Sequence, residues 1–176
     1  MLQRLAEFLI IQMSHRYTED LLIEQPAVEL FAELGWPTIS AREEIFGPSG
    51  TLQRETSAEV VLQTRLRTSL TKLNPQLPPE AITAAEDQLS RDRSAMLPAA
   101  ANREVYTLLK DGVQVSVPYR ERGGQKVERV RGIDWSDGKA NDFLLVRQMR
   151  ITGTLYTCRP ALIGVVNGWP RLLSEF

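Results

Sequence analysis

Residues 158–176, CRPALIGVVNGWPRLLSEF, read as two apolar runs joined at Asn167-Gly168. Both turn residues tolerate the positive φ of a tight hairpin turn, so the chain is predicted to fold back on itself here. With a loop of two to four residues, Ala161 falls opposite or next to Glu175, and facing residues stand about 4.5–5.5 Å apart at Cβ. Two carboxylates held that way would share one divalent cation, with water filling its remaining positions. Here Glu175 supplies a carboxylate and Ala161 only a methyl group.

Upstream of the hairpin, from Val113, the same alternating texture runs through VQVSV, KVERVRGIDW, DFLLVRQMRI and ALIGVV, with Gly, Asn or Asp clusters between them. The second half is therefore predicted to be a meandering sheet. The first half has helical spacing instead. Thr18 can cap TEDLLIEQPAVELFAELGW, Pro26 should kink or restart that helix, and Gly35 followed by Pro37 ends it. Residues 38–55 read as a loop with at most one short strand. A helix is predicted over TSAEVVLQTRLRTSLTKLN, with Val60, Val61, Leu62, Leu66, Leu70 and Leu73 on one face, then others from about Pro79 to Leu89 and Pro98 to Lys110. Helices first and strands afterwards give an α+β fold class, with helices packed on a largely antiparallel sheet.

Composition narrows the chemistry. The chain has 176 residues, one cysteine, one histidine and a formal net charge of −1. That excludes an internal disulfide, a cysteine-rich zinc site and a histidine-cluster metal site, and it suits a reducing, cytoplasmic setting. With so little net charge, any affinity for nucleic acid must be local. One basic stretch, YRERGGQKVERVRG, could contact phosphates through Arg120, Arg122, Lys126, Arg129 and Arg131. Glu121 and Glu128 interleave it, so a solvated hairpin face explains it equally well. The opening MLQRLAEFLIIQMSHRY carries Arg4 and Glu7 within a short apolar stretch, which suits an amphipathic helix rather than a signal peptide. No apolar run is long enough to span a bilayer. Residues 1–16 are read as a helical extension and residues 17–176 as one domain.

YTEDLLIEQPAVELFAELGW, GTLQRE, NREVYTLLKDGVQVSV, NDFLLVRQMRITG and CRPALIGVVNGWPRLLSEF resemble, in order and spacing, the N-terminal nuclease region of the R (restriction) subunit of type I restriction enzymes. That region is similar to the PD-(D/E)xK nucleases, in which Asp follows Pro on one strand and Glu-x-Lys lies on the next. The resemblance puts Ala161, after Pro160, at the Asp position and Glu175 at the Glu position, and the sequence stops at Phe176, before the Lys. An acidic residue of the first helix often joins such sites; Glu24, Glu19 and Asp20 could match, and Glu24 is preferred. Arg159, beside Pro160, is a further phosphate-contact candidate, with a structural ion pair as its alternative.

The resemblance implies Mg²⁺-dependent cleavage of double-stranded DNA in the intact family, with modification and specificity subunits as partners. There the Asp and Glu would hold Mg²⁺ and the Lys would position the attacking water. Lacking the Asp and ending before the Lys, the chain is expected to be a truncated core that does not cut DNA. The alternatives are a non-catalytic DNA- or protein-docking module and a fragment without independent activity. ATP use would belong to the family's motor domain, since no Gly-x-x-x-x-Gly-Lys-Ser/Thr run occurs here.

Overall fold

The computed structural model describes residues 23–118 and 123–174. The N-terminal extension, Glu19, Asp20, Arg120, Arg122 and Glu175 lie outside the described residues. Helix α1 is Gln25–Glu33, with Pro26 in its first turn, where a missing N–H costs nothing. It ends in a Schellman motif: Gly35, at φ +82°, donates to the Ala32 carbonyl at 2.9 Å and Trp36 donates to Phe31 at 2.9 Å. Trp36 then packs against Phe31 and Phe143 at 5.1 and 4.8 Å between ring centroids, tying the helix to the sheet.

Helices α2 (Gln63–Leu73), α3 (Pro79–Ser90) and α4 (Pro98–Asp111) follow strand β1 (Thr38–Ser40). The latter two start on proline, as predicted, and α4 stops at Gly112, at φ +82°. The predicted start of α2 is wrong by several residues. Residues 56–62 are irregular, because their backbone groups have partners outside a helical ladder: the Arg54 guanidinium takes the Glu59 carbonyl, the Thr152 N–H donates to the Ser57 carbonyl, and the Leu62 N–H donates to the Gly168 carbonyl. Those bonds outweigh the helical ladder that the spacing alone favours.

The remaining strands are β2 (Val113–Pro118), β3 (Gln125–Val130), β4 (Phe143–Arg147), β5 (Ile151–Thr152), β6 (Thr157–Cys158), β7 (Leu162–Val166) and β8 (Trp169–Ser174). They do not form one meander. A four-stranded mixed sheet has the order β1-β4-β7-β8, with β1 parallel to β4 and the other pairs antiparallel, while β2-β3 and β5-β6 are separate hairpins. The strand predicted over 142–151 breaks at Gln148, whose φ is +55°. The fold class is α+β, as expected.

Two cores result. In the first, Val113, Val115 and Val117 of β2 turn inward at every second position and meet Leu66, Leu70, Ala81, Ile82 and Ala85 of α2 and α3. In the second, Leu144 and Val146 of β4 and Ile163 and Val165 of β7 pack on Leu52, Leu62 and Met149. Leu145, on the other face of β4, is equally buried, so this strand is covered on both sides. No helix among the described residues is long and apolar enough to cross a membrane.

Asp134 shapes the approach to β4. Its Oδ1 accepts the Asp137 and Ser136 N–H groups, both at 3.0 Å, and these bonds, against an opposing effect of desolvation and with a smaller contribution from Arg131, hold its carboxyl below the ordinary 3.8. A carboxyl acidified by folding stabilises the fold above its unfolded pKa, and that stabilisation is lost as pH falls through the folded value. The stability gap between wild type and Asp134→Asn should therefore narrow as urea titrations are taken to pH values below 3.8.

Candidate active site

Strand β7 pairs with β8 in the register Leu162↔Ser174, Ile163↔Leu173 and Gly164↔Leu172; a register shift then leads to Val165↔Pro170 and Val166↔Trp169. The turn has two residues, Asn167 at φ +51° and Gly168 at φ +82°, as its sequence requires. Asn167 is 2% exposed and every polar group of its amide is used. Its Oδ1 accepts from the Asp142 N–H at 2.7 Å, and its Nδ2 donates to the Gly132 carbonyl at 2.9 Å and to Asn141 Oδ1 at 2.8 Å. The hairpin is thus anchored at its turn, at the end opposite Ala161.

Ala161 precedes the first described pair of that hairpin, and Glu175 follows it in sequence. The Ala161 carbonyl accepts the Gln148 N–H at 3.0 Å. The Gln148 side chain reaches the other way: Nε2 donates to Glu24 Oε2 at 3.0 Å. Beside it, Arg147 Nε donates to Glu24 Oε1 at 2.6 Å. One residue, Gln148, therefore bridges the Glu24 carboxylate to the Ala161 backbone. Glu24 is 3% exposed and keeps its charge compensated through the guanidinium. Of the three acids weighed on the first helix, Glu24 is the one within the described residues, and it comes to this end of the sheet.

The donor set is poor for a divalent cation. Mg²⁺ usually takes one or two carboxylates and keeps several waters. Here Ala161 contributes no side-chain oxygen, and both Glu24 oxygens already accept hydrogen bonds. Among the described residues there is no group of three His, Cys, Asp or Glu side chains placed to hold a metal. The described residues do not fit a Mg²⁺ site.

The predicted phosphate contacts separate into two groups. In the β2-β3 hairpin, Lys126 pairs with Glu128 at 2.6 Å. Arg129 donates to the Asp111 carbonyl at 2.5 Å, and Arg131 donates to the Leu73 carbonyl at 3.1 Å and lies 3.6 Å from Asp134. Arg129 and Arg131 thus hold the hairpin to the ends of α4 and α2, while Lys126 is paired within its own strand. Arg159, by contrast, is exposed two residues before Ala161.

A buried arginine, Arg54, also supports this end of the sheet and was not singled out by sequence. Arg54 and Glu44 are 0% and 3% exposed at their side chains and form a two-pronged pair, with Nε to Oε1 at 2.7 Å and Nη2 to Oε2 at 2.5 Å. Arg54 also donates to the Glu59 carbonyl at 2.7 Å and the Arg150 carbonyl at 2.6 Å. It clamps the loop after β1 to the segment after β4. The only local signal was a charged pair inside a Gly-Ser-rich loop; Arg147 and Gln148 likewise stood out only as polar residues at the exit of an apolar strand.

A HindI type I restriction enzyme endonuclease subunit of Haemophilus influenzae is 33% identical over 154 residues, which cover 87% of this chain and 14% of that protein. The chain thus spans 14% of the length of the curated relative it matches. No solved structure matches it. The family described as type I restriction enzyme R protein N terminus matches residues 16–176, nearly the whole chain. On that match and that identity, the chain belongs to the R protein N-terminal family of type I restriction enzymes.

Proposed function

We propose that this chain is a nuclease-like N-terminal region of an R subunit, keeping the scaffold of a PD-(D/E)xK site but defective in Mg²⁺-dependent cleavage of double-stranded DNA. The observation that carries the reading is the Gln148 bridge, which joins the buried Glu24 carboxylate to Ala161, the position where the family pattern has Asp. A carboxylate at 161 would add an oxygen ligand at this end of the sheet; alanine offers none. In the whole R subunit this region would act on DNA in the cytoplasm, in complex with modification and specificity subunits, with ATP used by a motor domain elsewhere.

The test is restoration. Wild type should show no Mn²⁺ binding by calorimetry and no metal-dependent nicking of supercoiled plasmid. Ala161→Asp, made with a lysine at the position after Phe176, should bind Mn²⁺ and nick at least about 10²-fold faster than the same protein with Ala161, the scale of one lost electrostatic group. Nicking by wild type would overturn the defect, and a folded variant that binds no metal would overturn the site.

A further inference from the structure

We infer that Arg42, Arg150 and Arg159 form a phosphate-binding rim around the Ala161 end of the sheet, and that this rim, not the β2-β3 hairpin, is where the chain holds the backbone of duplex DNA. The inference deepens the proposed function and rests on its DNA substrate class. Three placements support it. Arg42 follows Ala41, whose N–H donates to the Arg147 carbonyl at 2.8 Å at the end of β4. The Arg150 carbonyl is fixed by Arg54 three residues beyond that point. Arg159 lies two residues before Ala161, whose carbonyl is tied to Gln148. All three side chains are exposed, and none has an ion-pair or hydrogen-bond partner among the described residues.

The short β5-β6 hairpin sharpens the case. Its pairs are Thr152↔Thr157 and Ile151↔Cys158, so Arg150 and Arg159 are the next facing positions at its base. Like charges facing each other across two strands repel, and neither arginine has a carboxylate partner to relieve that repulsion. A phosphate between them would. The hairpin tip does not cover the spot: Leu155 and Tyr156 are 91% and 72% exposed. Of the nearby acids, Glu44 is consumed by Arg54 and Glu24 by Arg147, while Glu43, exposed beside Arg42, and Glu55 and Glu59, which flank the Ser57 bonded to Thr152, temper the charge without pairing with any of the three arginines. The hairpin cations Lys126, Arg129 and Arg131, in contrast, are already bonded within the protein.

Fluorescence anisotropy of a labelled duplex, titrated across salt concentrations, tests this. The triple variant Arg42→Gln, Arg150→Gln, Arg159→Gln should bind more weakly for all sequences, and the slope of log affinity against log salt should fall by about 2.7, or about 0.9 per lost contact. Its fold can be verified by urea unfolding, as the three side chains are exposed. The charge-matched control Arg103→Gln, Lys110→Gln, Lys139→Gln removes three exposed cations elsewhere and should leave the slope close to wild type. Equal losses in the two variants, or none in the first, would overturn the rim while leaving the nuclease reading intact. Absence of duplex binding by wild type at low salt would also overturn the rim; the nuclease reading is then decided separately by Mn²⁺ binding to the Ala161→Asp variant.

Discussion

Arg54→Met should destabilise the protein by about 3–5 kcal/mol, because it leaves the Glu44 carboxylate buried without a counter-charge. The pair sits at 0% and 3% side-chain exposure, where solvent cannot take over from the guanidinium. The loss should appear in urea unfolding as a lower midpoint with an unchanged slope, since the surface exposed on unfolding stays the same. Adding Glu44→Leu removes the orphan charge and should restore part of the stability. Recovery should be incomplete, because the Glu59 and Arg150 carbonyls also lose their donor, and an unsatisfied buried acceptor costs about 1–3 kcal/mol. Full recovery in the double variant would show that those two bonds contribute little. The same change loosens the segments that carry Arg42 and Arg150, so Arg54→Met should also weaken duplex binding at temperatures where it remains folded.

Gly168→Ala should be nearly as damaging, at about 4 kcal/mol, for a different reason. A Cβ at 168 would lie 2.5 Å from the Leu66 nitrogen and 2.7 Å from the Leu62 carbonyl oxygen, both backbone atoms at the start of α2. They cannot rotate away as a side chain could. The residue also stands at φ +82°, which costs an L-residue roughly 1–2 kcal/mol by itself. Gly35→Ala separates the two contributions. Gly35 has the same φ, +82°, but nothing within 4 Å of its would-be Cβ, so its substitution should cost only the conformational part. If the two variants unfold at the same urea concentration, the close docking of the turn on α2 is not what makes Gly168 necessary.

These two sites differ in how far the sequence alone revealed them. Asn167-Gly168 was readable because a two-residue turn demands positive φ at both positions, and only a few residue types accept it. Arg54 was not, because nothing in FGPSGTLQRE states which carboxylate and which carbonyls will surround a guanidinium. Similarly, the alternation of Val113, Val115 and Val117 announced a strand with one buried face, and prolines 79 and 98 marked helix starts. The helix predicted from residue 56 forms only from Gln63, because Arg54 and distant backbone groups engage the segment that a local reading assigns to its first turns.

The candidate site divides along the same line. Residues 158–174 determine their own hairpin through the chemistry of the Asn167-Gly168 turn, which acts over a few residues; its strands do not alternate, β7 being buried at four successive positions. The parallel pairing of β1 with β4 and the meeting of Glu24 with Arg147, 123 residues away, were decided only by the tertiary structure. So was the contrast between the bonded Arg129 and Arg131 and the open arginines around Ala161. Strand and turn preferences are local properties of the backbone, whereas the state of a charged side chain depends on which distant groups share its burial.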